Sequence, residues 1–194
     1  MDRPLISVII TAFKKRPFLG TALDSVLKQN INISEYEIIL VTSWETNSLC
    51  DEVLNRVRIV TVKHYKVPIN LIHIGIKESR GEILCFLDDD DIFDENKLEI
   101  IKEIFLKYPS VGFVHNAFRL VNEEGKEINR SITRYRYSQE KRDYLIRNKD
   151  VENKLNKIAS NNGFSNVSSM SVRRSFVFSS DSELFDLPGN SDSI

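Results

Sequence analysis

A short apolar run followed at once by four aspartates is the feature that most constrains the fold. Residues 83–87 read Ile-Leu-Cys-Phe-Leu, and Asp88, Asp89, Asp90 and Asp91 follow without interruption. Such an apolar run is typical of a strand that is covered on both faces by helices. Four adjacent carboxylates repel one another, so we interpret the run as a binding site at a strand end.

Strand-like and helix-like segments alternate along the first half of the chain. Strands are predicted at residues 5–11, 37–42, 58–63 and 83–87, and helices at residues 17–29, 48–55, 68–80 and 94–107. Pro17 suits a first helical turn, Gly81 suits a helix end, and Asp94 suits an N-cap. This alternation predicts an α/β fold with a mostly parallel central sheet flanked by helices.

The second half of the chain has a different pattern. Residues 111–121 predict a long strand, residues 122–126 a turn, and residues 127–133 the returning arm of a small antiparallel hairpin. Residues 138–160 are highly charged and suit either a helix or a surface segment, and residues 167–173 predict a last strand.

Composition indicates an ordinary soluble protein. Hydrophobic residues make up 41% of the chain and charged residues 28%, and the net charge of −1 gives no electrostatic reason to expect a nucleic-acid partner. Cys50 and Cys85 have no disulfide or metal spacing, so buried free thiols are expected. Neither a signal peptide nor a membrane span is predicted, and membrane association is expected only through a region outside this chain.

The acidic run suits a hard divalent cation. Side chains alternate in direction along a strand, so Asp88 and Asp90 are expected to point the same way. Paired carboxylates suit Mg²⁺ or Mn²⁺, which take water and phosphate oxygens as further ligands. The alternative is a solvated acidic loop in which Asp91 or Asp94 only caps the following helix.

The order of four motifs resembles the family-two inverting glycosyltransferases, which have the GT-A, or nucleotide-diphospho-sugar transferase, fold. The resemblance is carried by residues 7–13 (SVIITAF), 23–29 (LDSVLKQ), 37–41 (EIILV) and 75–91, the last ending in RGEILCFLDDDD. It implies one GT-A domain over residues 1–194, with a nucleotide-sugar-binding half over about residues 1–110 and an acceptor half over residues 111–194. The loop-like C-terminus suggests that the acceptor half is truncated.

The resemblance also implies the reaction and its partners. A sugar would pass with inversion from a nucleotide diphosphate sugar, a UDP- or GDP-sugar, to a glycan or a lipid-linked sugar, as in polysaccharide biosynthesis. The family's Asp-x-Asp (DXD) motif falls on Asp88 and Asp90, which implies metal binding by these two residues with Asp91 in support. Asp88 and Asp89 would contact the donor, and the expected location is the cytoplasm or the inner face of the membrane.

The part of the family pattern that binds the nucleobase is less well matched. Thr11, Ala12 and Phe13 occupy the segment that cups the base, although Phe13 could instead be a core aromatic. Thr42 stands where the family usually has an aspartate, so it can hydrogen-bond to the donor but supplies no charge. Trp44 could stack on a base or acceptor, or could simply cover the loop.

The resemblance places the general base near the C-terminus. Asp192 follows a segment that resembles the family's usual lead-in, so it is the favoured base that deprotonates the acceptor hydroxyl. Asp186 and Asp181 are its competitors. Arg173 and Arg174 close the last predicted strand, and a structural role for them is favoured over neutralisation of the diphosphate.

Two other functions remain open. A non-catalytic or degenerate nucleotide-sugar-binding module would explain the replacement of the expected acid by Thr42. A sugar nucleotidyltransferase is the second alternative, but such enzymes usually need a glycine-rich phosphate loop after the first strand. Residues 14–17 read Lys-Lys-Arg-Pro and provide no such loop.

Overall fold

The computed structural model describes residues 3–45, 51–62, 69–128 and 166–179. The chain divides into two compact units, one formed by residues 1–115 and 167–194 and the other by residues 116–166. No helix in the described part of the chain is both long and apolar enough to cross a membrane.

A six-stranded sheet forms the centre of the first unit, counted over the described residues, in the order β3-β2-β1-β4-β6-β5. Its strands are β1 (Ile6–Ala12), β2 (Tyr36–Thr42), β3 (Val57–Thr61), β4 (Ile83–Asp88), β5 (Phe113–His115) and β6 (Met170–Arg173). The first four strands are parallel, whereas β6 is antiparallel to both β4 and β5. The predicted mostly parallel α/β sheet is therefore confirmed.

Helices cover both faces of this sheet. They are α1 (Leu19–Leu27), α2 (Asp51–Arg56), α3 (Ile69–Glu78), α4 (Lys97–Lys107) and α5 (Arg174–Ser179), with 3₁₀ turns at Ile33–Glu35 and Val167–Ser169. One apolar cluster joins β1, β2 and β4 to α1 and α4, and a second joins the opposite face of the same strands to α3. Every residue of β1 is buried, as expected for a doubly covered strand.

Two glycines allow close packing beside β1. A Cβ atom on Gly75 of α3 would lie 2.2 Å from Cγ2 of Ile9, so α3 approaches the sheet only because this position has no side chain. A Cβ atom on Gly81 would lie 2.5 Å from the backbone nitrogen of Ser7. Gly81 was predicted to end the preceding helix, but that helix ends at Glu78 and the glycine instead permits contact between two backbones.

Two predicted helix starts were wrong by a few residues. Pro17 lies before α1, which begins at Leu19 with Phe18 at its N-cap. The N-cap of α4 is Asn96 rather than Asp94. The Asp94 carboxylate accepts a hydrogen bond of 3.2 Å from the backbone N–H of Asn96, so it forms the turn that precedes the helix.

The long strand predicted at residues 111–121 was also wrong. Only Phe113–His115 is a strand, and His115 pairs with Met170, the first residue of β6. The pairing ends there because β6 itself begins at that residue.

The described part of the second unit contains the predicted turn. Gly125 has a φ of 75°, a left-handed conformation that favours glycine, and its N–H donates to the Asn122 carbonyl at 2.9 Å. Val121 and Glu127 form an isolated antiparallel bridge across this turn. The rest of the predicted returning arm beyond residue 128, like the predictions for residues 138–160, lies outside the described residues.

Candidate functional site

The predicted acidic residues lie where the order of the parallel strands reverses. The chain passes from β1 to β2 and β3 on one side, and then crosses to β4 on the other side of β1. Open α/β sheets bind ligands in the crevice beyond the carboxyl ends of strands at such a point. Thr11 and Asp88 are register partners here, and the Thr11 hydroxyl donates to Asp88 Oδ1 at 3.1 Å. Two predicted site residues are thus brought together.

The acidic run forms a turn rather than an extension of β4. The strand ends at Asp88, residues 89–90 lie in a turn, and the Asp91 N–H donates to the Asp88 carbonyl at 3.2 Å. Strand alternation was expected to point Asp88 and Asp90 the same way. That argument was wrong, because the strand ends at Asp88 and Asp90 lies in the turn. Metal binding by Asp88, Asp90 and Asp91 stays a prediction.

Asp88 is half-buried among other carboxylates. Burial raises the pKa of Asp88, the hydrogen bond from Thr11 lowers it, and the negative charges of Asp91 and Asp90 raise it. The backbone N–H of Asp88 donates to the Ser168 hydroxyl at 2.9 Å, which fixes the strand end. The arrangement concentrates negative charge at the crevice, and a cation bound there would relieve the repulsion.

Asp89 points into the protein. It is 5% exposed, and its Oδ2 atom is buried without a hydrogen-bond partner. Burial raises the pKa of Asp89 to about 6, although the Arg16 guanidinium, 3.7 Å from Oδ1, acts to lower it. Donor contact by Asp89 stays a prediction.

Arg16 is a site residue that the sequence analysis missed. It lies in the loop after β1, and its Nη1 atom donates to Asp90 Oδ2 and faces Asp89 Oδ1. Its side chain is 45% exposed. The signal that could have found it was charge complementarity, since residues 14–16 are all basic and follow the strand that neighbours β4.

Lys97 and Ser168 were missed as well. Lys97 is 8% exposed at the start of α4, where its Nζ atom donates to the Ser168 carbonyl at 2.6 Å and lies 4.2 Å from the centroid of the Phe93 ring. Burial lowers the pKa of Lys97 to about 8, against the opposing effects of Cys85 and Asp91. Ser168 joins this lysine to Asp88 from far along the chain, so no local signal could have revealed the contact.

The loops after β1 and β2 meet beside the crevice. The Ser43 hydroxyl donates to the Phe13 carbonyl at 2.5 Å, and Phe13 packs against the apolar cluster on the α3 face. Thr42 is fully buried, and its hydroxyl donates to the Trp44 carbonyl at 2.6 Å. Trp44 packs against the other apolar cluster, and its buried Nε1 atom has no hydrogen-bond partner.

These contacts establish packing roles for Phe13 and Trp44 and a loop contact for Thr42. Ala12 ends β1 and is fully buried. Binding of the donor by Thr11, Ala12, Phe13 and Thr42 stays a prediction.

Arg173 and Arg174 have the structural role that was favoured for them. Arg173 pairs with Ile83, the first residue of β4, so it lies at the opposite end of that strand from Asp88. Its guanidinium donates to the carbonyls of Val111 and Phe105. The corresponding group of Arg174 donates to the carbonyls of Gly81 and Ile76 and to the hydroxyl of Ser79. Both cations therefore stabilise the edge of the sheet that is remote from the acidic turn.

The chemistry of the acidic turn fits a divalent metal that also binds phosphate. Within residues 3–45, 51–62, 69–128 and 166–179, no three His, Cys, Asp or Glu side chains form a group that could hold a metal ion. Mg²⁺ commonly binds one or two carboxylates and fills its remaining positions with water and substrate phosphate oxygens. Asp88, Asp90 and Asp91 offer hard oxygen donors in a site of crowded negative charge.

Other predictions fall on different parts of the chain. Cys85 is buried and free, as expected, while Cys50 lies outside the described residues. The favoured base Asp192 and its competitors Asp186 and Asp181 also lie outside them.

The chain belongs to the family described as Glycosyl transferase family 2, which matches residues 7–178. Among curated relatives, the Escherichia coli UDP-Glc:alpha-D-GlcNAc-diphosphoundecaprenol beta-1,3-glucosyltransferase WfgD is 25% identical to this chain over 126 residues, which cover 63% of this chain and 49% of that protein. An uncharacterized glycosyltransferase of Rickettsia bellii is 27% identical over 62% of this chain and 18% of its own length. The chain thus spans less than half the length of these relatives.

Solved structures establish the fold as GT-A. S. aureus TarS 1-349 in complex with UDP-GlcNAc has a TM-score of 0.54 and 19% identity, covering 68% of this chain and 38% of that one. The mannosyltransferase PcManGT from Pyrobaculum calidifontis, in complex with GDP-Man and Mn2+, has a TM-score of 0.52 and 20% identity. The match covers 61% of this chain and 36% of that one. Both likenesses concern the fold.

Proposed function

We propose that the chain is the donor-binding part of a metal-dependent inverting glycosyltransferase that moves a sugar from a nucleotide diphosphate sugar to a hydroxyl acceptor. The observation that carries this proposal is the half-buried Asp88, which lies with Asp90 and Asp91 at the reversal point of the sheet and accepts a hydrogen bond from Thr11. The family membership and the GT-A fold support the same reaction class.

In this proposal the acidic turn holds Mn²⁺ or Mg²⁺ together with the donor diphosphate. Asp88 and Asp90, with Asp91 in support, would supply carboxylate oxygens, and water and phosphate oxygens would fill the remaining positions of the metal. The metal would neutralise charge on the departing diphosphate. Thr11 holds the Asp88 carboxylate and Ser168 holds its backbone N–H, which would limit the reorganisation needed during the reaction. Asp192 deprotonates the acceptor hydroxyl, with Asp186 and Asp181 as alternatives.

The donor is proposed to be a UDP- or GDP-sugar. Structures of the same fold bind UDP-GlcNAc or GDP-Man, and Phe13, Thr42 and Trp44 lie at the ends of the two strands that would adjoin the nucleoside. A glycan or lipid-linked sugar is the proposed acceptor, supported by the name of the E. coli relative. The proposed location is the cytoplasm or the inner face of the membrane, and the proposed role is in polysaccharide biosynthesis.

The test begins with binding. Calorimetric titration with UDP- and GDP-sugars, with and without Mn²⁺, should show metal-dependent binding by the parent and its loss in the variant Asp88→Ala/Asp90→Ala. A matched control is Glu99→Ala/Glu103→Ala, which removes two exposed carboxylates from α4 and should bind like the parent. Normal metal-dependent binding by the Asp88/Asp90 variant would refute the proposed site.

Turnover distinguishes the remaining functions. Nuclear magnetic resonance should show the product with inverted anomeric configuration, and Asp192→Asn should reduce kcat far more than it changes donor affinity. Binding without transfer or hydrolysis would instead support a degenerate binding module, the alternative based on Thr42 in place of the family's usual aspartate. Release of pyrophosphate from a nucleoside triphosphate and a sugar phosphate would indicate a nucleotidyltransferase.

A further inference from the structure

The basic loop that follows β1 contacts the acidic turn directly. Lys14, Lys15 and Arg16 are all exposed, but Arg16 is the one whose guanidinium reaches Asp90 and faces Asp89. The contact joins residues 74 positions apart in the sequence, so it brings the end of β1 and the end of β4 together across the crevice.

The charge balance explains this contact. Besides burial, the negative charges of Asp91 and Asp90 raise the pKa of Asp88, and those of Asp90 and Asp88 raise the pKa of Asp89, whereas the positive charge of Arg16 lowers the pKa of both Asp88 and Asp89. In the ligand-free protein, Arg16 therefore stabilises the ionised form of the acidic turn.

The same contact conflicts with metal binding. A divalent cation at the acidic turn would use carboxylate oxygens that Arg16 now occupies, so metal and guanidinium compete for Asp90. A diphosphate in the crevice would give Arg16 a new anionic partner. A guanidinium suits this exchange because its planar array of N–H donors matches both carboxylate and phosphate oxygens.

We propose that Arg16 is a donor-binding residue that pairs with Asp90 in the free protein and moves to the donor diphosphate when metal and donor bind. This inference rests on the proposed function, since it requires a nucleotide diphosphate at the acidic turn. The exchange predicts that removal of the Arg16 charge changes the affinities for metal and for nucleoside diphosphate in opposite directions. Metal alone should bind more tightly because its competitor is gone, whereas a nucleoside diphosphate should bind less tightly because a cationic partner is lost.

The experiment uses Arg16→Gln, with Mn²⁺ alone and then UDP or GDP at saturating Mn²⁺ as the probes. Relative to the parent, the variant should bind Mn²⁺ alone roughly two- to five-fold more tightly, the range of an exposed ion pair. It should bind the nucleoside diphosphate roughly tenfold more weakly or worse, the range of a hydrogen bond between charged groups. Electron paramagnetic resonance of free Mn²⁺ and calorimetry measure these two affinities without any need for turnover.

Two further variants separate the effect of the contact between Arg16 and Asp90 from the effect of the loop's positive charge as a whole. Lys15→Gln removes the same charge from the neighbouring exposed position and should change both affinities less than twofold. Arg16→Lys keeps the charge without the planar fork and should fall between the parent and Arg16→Gln in diphosphate affinity. Circular dichroism of each variant establishes that it is folded.

The outcomes are decisive in both directions. Opposite shifts in Arg16→Gln, with little change in Lys15→Gln, would support the exchange. Weaker Mn²⁺ binding or unchanged diphosphate affinity in Arg16→Gln, in a parent that binds both probes, would overturn the inference and leave the proposed function intact. A parent that binds neither probe, or an Asp88→Ala/Asp90→Ala variant that binds both normally, would overturn the proposed function and the inference together.

Discussion

Lys97 at the start of α4 donates a hydrogen bond of 2.6 Å to the carbonyl of Ser168. The hydroxyl of the same serine accepts from the backbone N–H of Asp88 at 2.9 Å. A buried cation is thus connected through one residue to the end of the strand that begins the acidic turn.

Burial of this lysine should make stability depend on pH. The pKa of Lys97 falls from 10.5 to about 8, so between these values the unfolded chain binds more protons than the folded protein. The free energy of unfolding of the parent should therefore rise across that window relative to Lys97→Met, by about 3 kcal/mol in total. Urea unfolding of both proteins at intervals from pH 7 to pH 10.5 measures this difference.

Lys28→Met provides the control for this experiment. Lys28 is exposed and pairs with Asp24 at 3.2 Å, so its replacement should change stability by less than about 0.5 kcal/mol. If the difference in unfolding free energy between the parent and Lys97→Met does not change with pH, Lys97 has the same pKa in the folded and the unfolded state.

Asp89 should lower stability at neutral pH. Its pKa rises from 3.8 to about 6 because it is buried, so the folded protein binds more protons than the unfolded chain between these values. The parent should lose about 2 kcal/mol relative to Asp89→Asn as pH rises from 4 to 7. Unfolding in the presence of a chelator measures this without any contribution from metal.

Asp24→Asn is the control for the acidic range, since the Asp24 side chain is 59% exposed and its ion pair lies on the surface of α1. Its effect on stability should stay below about 0.5 kcal/mol. If Asp89→Asn is as stable as the parent at pH 4 and at pH 7 alike, the buried carboxylate carries no such penalty.

The sequence predicted those features that depend on local patterns. Apolar runs identified β1 as residues 5–11 and β4 as residues 83–87, each within one residue of the observed strand ends. Parallel pairing of these strands then makes Thr11 and Asp88 register partners, a contact that was not predicted.

Contacts between distant residues could not be predicted in this way. Arg16 and Asp90, or Lys97 and Ser168, meet only because the strand order is β1-β4-β6, and no local periodicity encodes that order. Strand alternation also failed at the acidic run because the backbone turns after Asp88. A pattern of residue types cannot reveal where a strand loses its regular geometry.

Replacing Gly81 with alanine should strongly destabilise the fold. The new Cβ atom would lie 2.5 Å from the backbone nitrogen of Ser7 and 2.6 Å from the carbonyl carbon of Ile6, and backbone of the central strand cannot easily move. We expect a loss of about 2 kcal/mol or more in the free energy of unfolding. Denaturant unfolding of the variant measures it.

Gly20→Ala is the matched control, because a Cβ atom there meets nothing within 4 Å and the residue lies in α1. It should raise stability by up to about 1 kcal/mol through helix propensity. Equal effects of the two substitutions would contradict the role assigned to the close backbone contact.

Glu37 should stabilise the fold through a partly buried network at the amino end of the parallel strands. Its carboxylate accepts hydrogen bonds from the Ser7 hydroxyl at 2.6 Å and from the backbone N–H and Nε of Arg80 at 2.5 and 3.1 Å. Burial acts to raise the pKa of Glu37, but these bonds outweigh it and hold the pKa below 4.5. The network's stability is therefore fully present above pH 4.5 and is lost as pH falls through the lower folded value.

Glu37→Gln should cost about 1–3 kcal/mol at pH 7, because hydrogen bonds to a charged acceptor become bonds to a neutral one. The difference from the parent should shrink as pH falls below 4.5, where the parent carboxylate also loses its charge. Glu78→Gln is the control, since its pair with Arg58 at 2.8 Å lies on the surface and should contribute less than about 0.5 kcal/mol. Equal losses in the two variants would mean that burial of the Glu37 carboxylate adds nothing to its hydrogen bonds, whereas a larger, acid-sensitive loss in Glu37→Gln alone would establish the network.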